Sequence, residues 1–180
     1  PPNSQTIAWV NALGKSAGSL PALEKEARRW MLLSTREKSD AELVSAMKLV
    51  VRQGYEVAAP ALMGAARNRK SDAVRVAVVQ SLAQFRQSHT DLLNLWPKSS
   101  SRVRAEILAA LVTRPERMAA LLTALEDKAM AKTDIPASTL NTLRAQKDGG
   151  LRARVTKLFG IPKKPRTRQQ VINEYLPALK

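Results

Sequence analysis

Apolar residues return every three or four positions along most of the chain, the spacing that lines one face of an α-helix. Leu20, Leu23, Ala27, Trp30 and Met31 predict a helix over 21–33, with a shorter one over 6–13 ahead of it. Ser39-Asp40-Ala41-Glu42 has the Ser-x-x-Glu form of a capping box, in which each side chain satisfies a backbone N–H of the first turn, so a helix is expected to start there. Leu43, Met47, Val50 and Val51 carry its apolar stripe as far as Gly54, a residue suited to the backbone conformation that ends helices. A partner over 55–67 turns Val57, Ala58, Ala61, Leu62 and Ala65 inward, with Pro60 either kinking it or lying near a late start.

The unit then recurs. Ser71 is placed to cap a helix with Val74, Ala77, Val78, Leu82 and Phe85 on its inner face, and Leu92, Leu93, Leu95 and Trp96 form a shorter partner that Pro97 stops. Val103, Ile107, Ala110 and Leu111 repeat the first helix of the pair. Thr113-Arg114-Pro115-Glu116 reads as a second capping box, followed by the stripe Met118, Leu121, Leu122 and Leu125. Two more helices are expected over 136–146 and 150–159. The segment Gly160-Ile161-Pro162-Lys163-Lys164-Pro165 then breaks the chain before a last helix with Val171, Ile172, Tyr175 and Leu176. Aligning Val44, Val74 and Val103 gives a period near 30 residues. Helix pairs at such a period predict an all-α fold, an α-solenoid of stacked antiparallel pairs, because one pair cannot bury its apolar face without neighbours. An ordinary helical bundle is the alternative.

The pattern Asp72-x-Val74-Arg75-x-Ala77 with Leu82, and then Val103-Arg104-x-x-Ile107-x-x-Ala110-Leu111, resembles HEAT and HEAT-like repeats over about residues 39–160. In that family an acid and an arginine form a ladder between stacked repeats. The resemblance therefore implies ladder roles for Asp72, Arg75, Arg104 and Arg152, with no acid at Ser101 or Gly149 to match Asp72. It divides the chain into a repeat domain over 1–160 and a basic, proline-containing connection with a C-terminal helix over 161–180, expected to lead to a further domain. A narrower likeness lies in Leu151-Arg152-Ala153-Arg154-Val155-x-x-Leu158-Phe159 and Arg168-x-x-Val171-Ile172-x-x-Tyr175-Leu176-x-Ala178-Leu179. It resembles the helical segment before the cytochrome c domain of large heme-binding, dehydrogenase-like proteins of planctomycetes and verrucomicrobia. That resemblance implies a helical spacer without heme of its own, part of a longer protein, and a periplasmic or exported location.

Composition supports the helical assignment: aromatic residues are 4% of the chain and hydrophobic residues 44%. Cysteine is absent and His89 is the only histidine, which excludes thiol nucleophiles, disulfides, thiolate zinc sites and most histidine chemistry. His89 lies in the polar stretch Gln87-Ser88-His89-Thr90-Asp91, where a solvated or capping role is expected. Glu24 and Glu26 suit a helix start, and Glu126-Asp127 a solvated helix end with too few ligands for calcium. Gly149-Gly150 is a turn before a helix rather than a phosphate cradle. Trp9, Trp30 and Trp96 sit in apolar stripes and are assigned to core packing. Neither a catalytic set nor a cofactor is expected.

Thirty Lys and Arg against fifteen Asp and Glu give a formal charge of +15. The densest tract holds Arg144, Lys147, Arg152, Arg154, Lys157, Lys163, Lys164, Arg166 and Arg168 against Asp148. A solvated basic face is the plain reading of this tract, and an anion-binding surface the sharper one. No apolar run approaches the ~20 residues that span a bilayer. The expectation is a non-enzymatic scaffold or spacer that positions neighbouring domains of its own chain or a protein partner. The alternative is a nucleic-acid-binding HEAT-like domain, similar to the alkylation-repair DNA glycosylases, with weak binding at most.

Overall fold

A computed structural model describes residues 39–161. The helices expected over 6–13, over 21–33 and after Thr167 lie outside the described residues, as do Trp9, Trp30, Lys163, Lys164, Arg166 and Arg168 and most of the 161–180 connection. The described residues form eight α-helices and no strand: α1 Asp40–Val50, α2 Tyr55–Asn68, α3 Asp72–Leu82, α4 His89–Leu95, α5 Ser101–Leu111, α6 Pro115–Glu126, α7 Ala137–Arg144 and α8 Gly149–Phe159. The class is all-α.

The starts of the helices are written in their caps. Ser39 closes the expected box on α1: its hydroxyl accepts from the Glu42 N–H at 3.3 Å, and the Glu42 carboxylate accepts from the Ser39 N–H at 2.8 Å. Ser71 and Ser100 stand at the same position ahead of α3 and α5; the Ser100 hydroxyl accepts from the Val103 N–H at 3.4 Å, whereas the Ser71 side chain makes no cap hydrogen bond, so the capping expected of it does not form. Asp148 caps α8, accepting from Leu151 at 2.8 Å. Gly54 joins α1 to α2 at φ +85° and ψ 166°, a region almost closed to residues with a Cβ. Pro60 lies inside α2, which starts at Tyr55, so its ring takes the place of the N–H that would have bonded the Glu56 carbonyl.

Counting from the caps exposes a shared register. In α3 the buried positions are the third, seventh, eighth, tenth and eleventh (Val74, Val78, Val79, Ser81 and Leu82), and in α5 they are the same five (Val103, Ile107, Leu108, Ala110 and Leu111). In α1 the third, seventh, eighth and eleventh recur as Glu42, Ala46, Met47 and Val50. Val44 is only half-buried, so the true counterpart of Val74 and Val103 is Glu42, two residues earlier than the valine alignment places it. The valine spacing misled because the three helices correspond when counted from their first residues, and Val44 is the fifth residue of α1 whereas Val74 and Val103 are the third of theirs.

Within the described residues α1 packs on α3 and α3 on α5, while α2 meets α4, α4 meets α6 and α6 meets α8. One continuous core runs through these contacts, and Val50, Leu62, Val74, Leu82, Ile107 and Leu121 are fully enclosed in it. Trp96 is in that core as expected, with the Arg104 guanidinium 4.9 Å from its ring centroid. The second capping box does not form. Pro115 occupies the first position of α6 with Arg114 as the cap residue, the Thr113 hydroxyl donates back to the Ala110 carbonyl at 2.7 Å, and Glu116 pairs with Arg86. Among the described residues no helix is long and apolar enough to cross a membrane.

Candidate functional site

The side chains with the most polar contacts are arginines that join one helix to the next. Arg117, at the third position of α6, is 1% exposed. Its Nη2 donates to the carbonyls of Ala83, at 2.8 Å, and Phe85, and its Nη1 donates to the Ala110 carbonyl at 3.2 Å and the Thr113 hydroxyl at 3.1 Å. These acceptors close the C-terminal ends of α3 and α5, where carbonyls lack intrahelical donors and carry the negative end of the helix dipole. Burial pushes the Arg117 pKa down and the nearby Arg114 adds to this, with Glu116 opposing. Helical phase alone would have found it: Arg117, Leu121 and Leu125 repeat every four residues on the buried face of α6.

Of the residues assigned to the ladder, Asp72, Arg75 and Arg104 bond to neighbouring segments, none of them through an acid–arginine pair. Asp72 accepts from the Ser100 hydroxyl at 2.7 Å. Arg75 donates to the carbonyls of Arg69, at 3.2 Å, and Lys98, at 2.6 Å, and Arg104 to that of Trp96 at 3.4 Å. Arg75, Arg104 and Arg152 all occupy the fourth position of their helices, but Arg152 is exposed. A near-ladder ion pair does occur elsewhere, between Arg69 and Asp40 at 3.7 Å.

The anion-binding candidates within the described residues divide. Arg154 forks onto Glu126, with Nε to Oε1 at 3.0 Å and Nη2 to Oε2 at 2.7 Å, and also reaches the Thr123 hydroxyl at 2.9 Å. That pairing holds the Glu126 carboxyl below its ordinary pKa and raises the Arg154 pKa. Arg144 Nη2 donates to the Gly160 carbonyl at 3.4 Å. Lys147, Arg152 and Lys157 are exposed. Two of the five candidates therefore fasten α6, α7 and the end of α8 to one another. His89 is the first residue of α4 and half-buried.

A groove of about 840 Å³ runs beside α2 and α4. From α2 it is lined by Ala59, Met63 and Ala66, at the i, i+4 and i+7 spacing of one helix face. From α4 come Asp91, Asn94 and Leu95, with Val103 of α5 beneath. At one end the Tyr55 hydroxyl donates to Asp91 Oδ2 at 2.7 Å, and its ring meets Phe85 edge-on with centroids 5.6 Å apart. Burial, then the hydrogen bond and charge of Asp91, then the charge of Glu56, push the Tyr55 pKa up to about 12. Arg67, Arg75 and Lys98 line the other end. The sequence reading missed this groove. Its signal was that α2 has apolar residues on a second face as well as on the core face formed by Ala58, Ala61, Leu62 and Ala65.

Fold and site together define, over the described residues, an all-α domain whose polar machinery joins helices and whose groove beside α2 and α4 is apolar between charged ends. No family model, curated protein or solved structure matches the chain.

Proposed function

We propose that the protein is a non-catalytic, HEAT-like scaffold or spacer, a stack of antiparallel helix pairs that positions neighbouring domains or holds a protein partner. The observation that carries this reading is the common register of α1, α3 and α5: three serine-preceded helices of equal length share buried third, seventh, eighth and eleventh positions and pack in chain order. Repetition of that kind belongs to a structure built by adding like units, in which each unit is stabilised by its neighbours. Arg117 and Arg154 support it as cross-links between successive units. Hydrogen exchange on the intact chain tests it. Arg154→Ala is expected to speed exchange in α7 and α8 while leaving α1 and α3 as they were, because coupling in a stack passes only to neighbours. Equal loss of protection in every helix would show a single cooperative bundle instead.

The cytochrome-linked context is tested by the coding sequence after Lys180: a Cys-x-x-Cys-His motif soon after it supports that context, and a stop codon removes it. A second reading, a nucleic-acid-binding HEAT-like domain similar to alkylation-repair glycosylases, is favoured by the net charge of +15.

A further inference from the structure

We infer that the groove between α2 and α4 binds an amphipathic segment of a partner protein that carries opposite charges at its two ends, with apolar side chains on Met63 and Leu95, carboxylates at Arg67 and Lys98, and cations toward Glu56 and Asp91. The inference rests on the reading of the chain as an interaction module and names the surface and the partner's chemistry.

Three features of the groove select that occupant. Its floor is apolar: Ala59, Met63 and Ala66 form a line along α2, faced by Leu95. Met63 and Leu95 are half-buried, so both retain surface that a partner could cover, and an unbranched methionine adapts to varied apolar shapes. Second, the ends differ in sign. Glu56 and Asp91 lie with Tyr55 near the start of α2, whereas Arg67 lies near its end with Arg75 and Lys98. Twelve helical steps separate Tyr55 from Arg67, about 18 Å at 1.5 Å per residue, so the partner meets negative charge at one end and positive charge at the other. A segment with carboxylates at one end is thereby held in one direction, the form of complementarity that sets register and suppresses wrong partners. Third, the cationic end has donors to offer. Lys98 is exposed and gives its backbone carbonyl, not its ammonium, to Arg75, and the exposed Arg67 places only Nε on the Met63 carbonyl of its own helix.

The same features disfavour a nucleic acid in this groove. A phosphate backbone needs a cationic track along its length, and single strands need aromatic faces for stacking. Here the middle is apolar, the far end is acidic, and the one aromatic residue in the lining, Tyr55, is committed to Asp91 and Phe85.

The test uses the full chain and a fluorescent, terminally capped peptide of about 12 residues, with leucines at i, i+3, i+4 and i+7, glutamates in its first turn and lysines in its last. Its control has the same composition with the charges interleaved. The ordered peptide is expected to bind at least about tenfold tighter than the control, and Arg67→Glu with Lys98→Glu to weaken it by about tenfold or more. Lys48→Glu with Lys128→Glu, the same change of net charge at positions that do not line the groove, is expected to leave affinity within about twofold. Met63→Gln gives an independent reading of the apolar floor and is expected to weaken binding with its thermal transition retained. Equal binding of the two peptides, or equal weakening by both double charge reversals, overturns the proposal and leaves only attraction to net positive charge. Duplex DNA that binds more tightly than the ordered peptide and loses affinity with Arg67→Glu and Lys98→Glu overturns it in favour of a nucleic-acid surface. In each case the hydrogen-exchange result for Arg154→Ala stands separately, so the scaffold reading survives or fails by itself.

Discussion

At the scale of single residues, Arg117 carries the most. Its guanidinium fork satisfies carbonyls from the ends of two helices, and no aliphatic side chain can do that. Arg117→Ala takes from the Ala83 carbonyl its side-chain donor, strips one donor each from the Phe85 and Ala110 carbonyls, which keep Ser88 and Thr113, and opens a cavity in the core; it is expected to cost about 3 kcal/mol, read from the shift of the urea midpoint. Arg117→Lys is expected to recover less than half of this, since one ammonium cannot span the same acceptors. Tyr55 gives a pH signature. The folded protein holds its hydroxyl protonated up to about pH 12, against 10 in the unfolded chain. Its contribution to stability is therefore complete below pH 10 and is lost as pH rises from 10 towards 12. Tyrosinate absorbance is expected to show a late-titrating component that Tyr55→Phe removes; a titration complete near pH 10 in the native protein would contradict the Asp91 contact.

At the scale of the element, two glycines in neighbouring settings are expected to respond oppositely to one substitution. Gly54 sits at φ +85° between α1 and α2, and a Cβ there meets nothing within 4 Å. The cost of Gly54→Ala is then purely that of the backbone conformation, about 1–3 kcal/mol. Gly64 lies within α2, also with open space around a Cβ, so Gly64→Ala is expected to gain about 0.5–1 kcal/mol by lowering the entropy of the unfolded chain. Thermal unfolding of the two variants checks both signs. The difference follows from helix geometry: the same methyl group is excluded by the turn and welcomed by the helix.

At the scale of the whole molecule, charge governs. A chain of +15 attracts polyanions regardless of its fold, and releasing condensed counterions makes such binding fall steeply with salt. Duplex DNA is expected to bind weakly and without sequence preference, with a dissociation constant above about 1 µM at physiological salt. Substituting Lys163, Lys164, Arg166 and Arg168 together is expected to flatten the salt dependence. Submicromolar affinity at that salt would displace the scaffold reading. Arg154 and Arg144 are expected to add little, because Glu126 and the Gly160 carbonyl already hold them.

What the amino-acid order determined by itself is local. Apolar periodicity placed Leu43, Met47, Val78, Leu82, Ile107 and Leu121 in the core, and Ser39 and Glu42 marked the start of α1, because a helix brings residues three and four apart together whatever surrounds it. Repetition was visible for the same reason, although its register was not: Val44, Val74 and Val103 look equivalent in sequence, but Val44 is the fifth residue of its helix and the other two are the third of theirs. Tertiary structure decided the rest. Thr113 and Glu116 have the spacing of a capping box, yet Ala110 and Arg86 claim them, since partners from other elements compete for the same hydrogen bonds. Arg154 looked like one more cation in a basic tract until α8 set it against Glu126, 28 residues away. The groove depended on where α2 and α4 come to lie, which brings Tyr55 to Asp91 and Arg67 to the side of Lys98. Contacts within one helical turn are properties of sequence spacing; contacts between helices exist only once the chain has chosen which faces to bury.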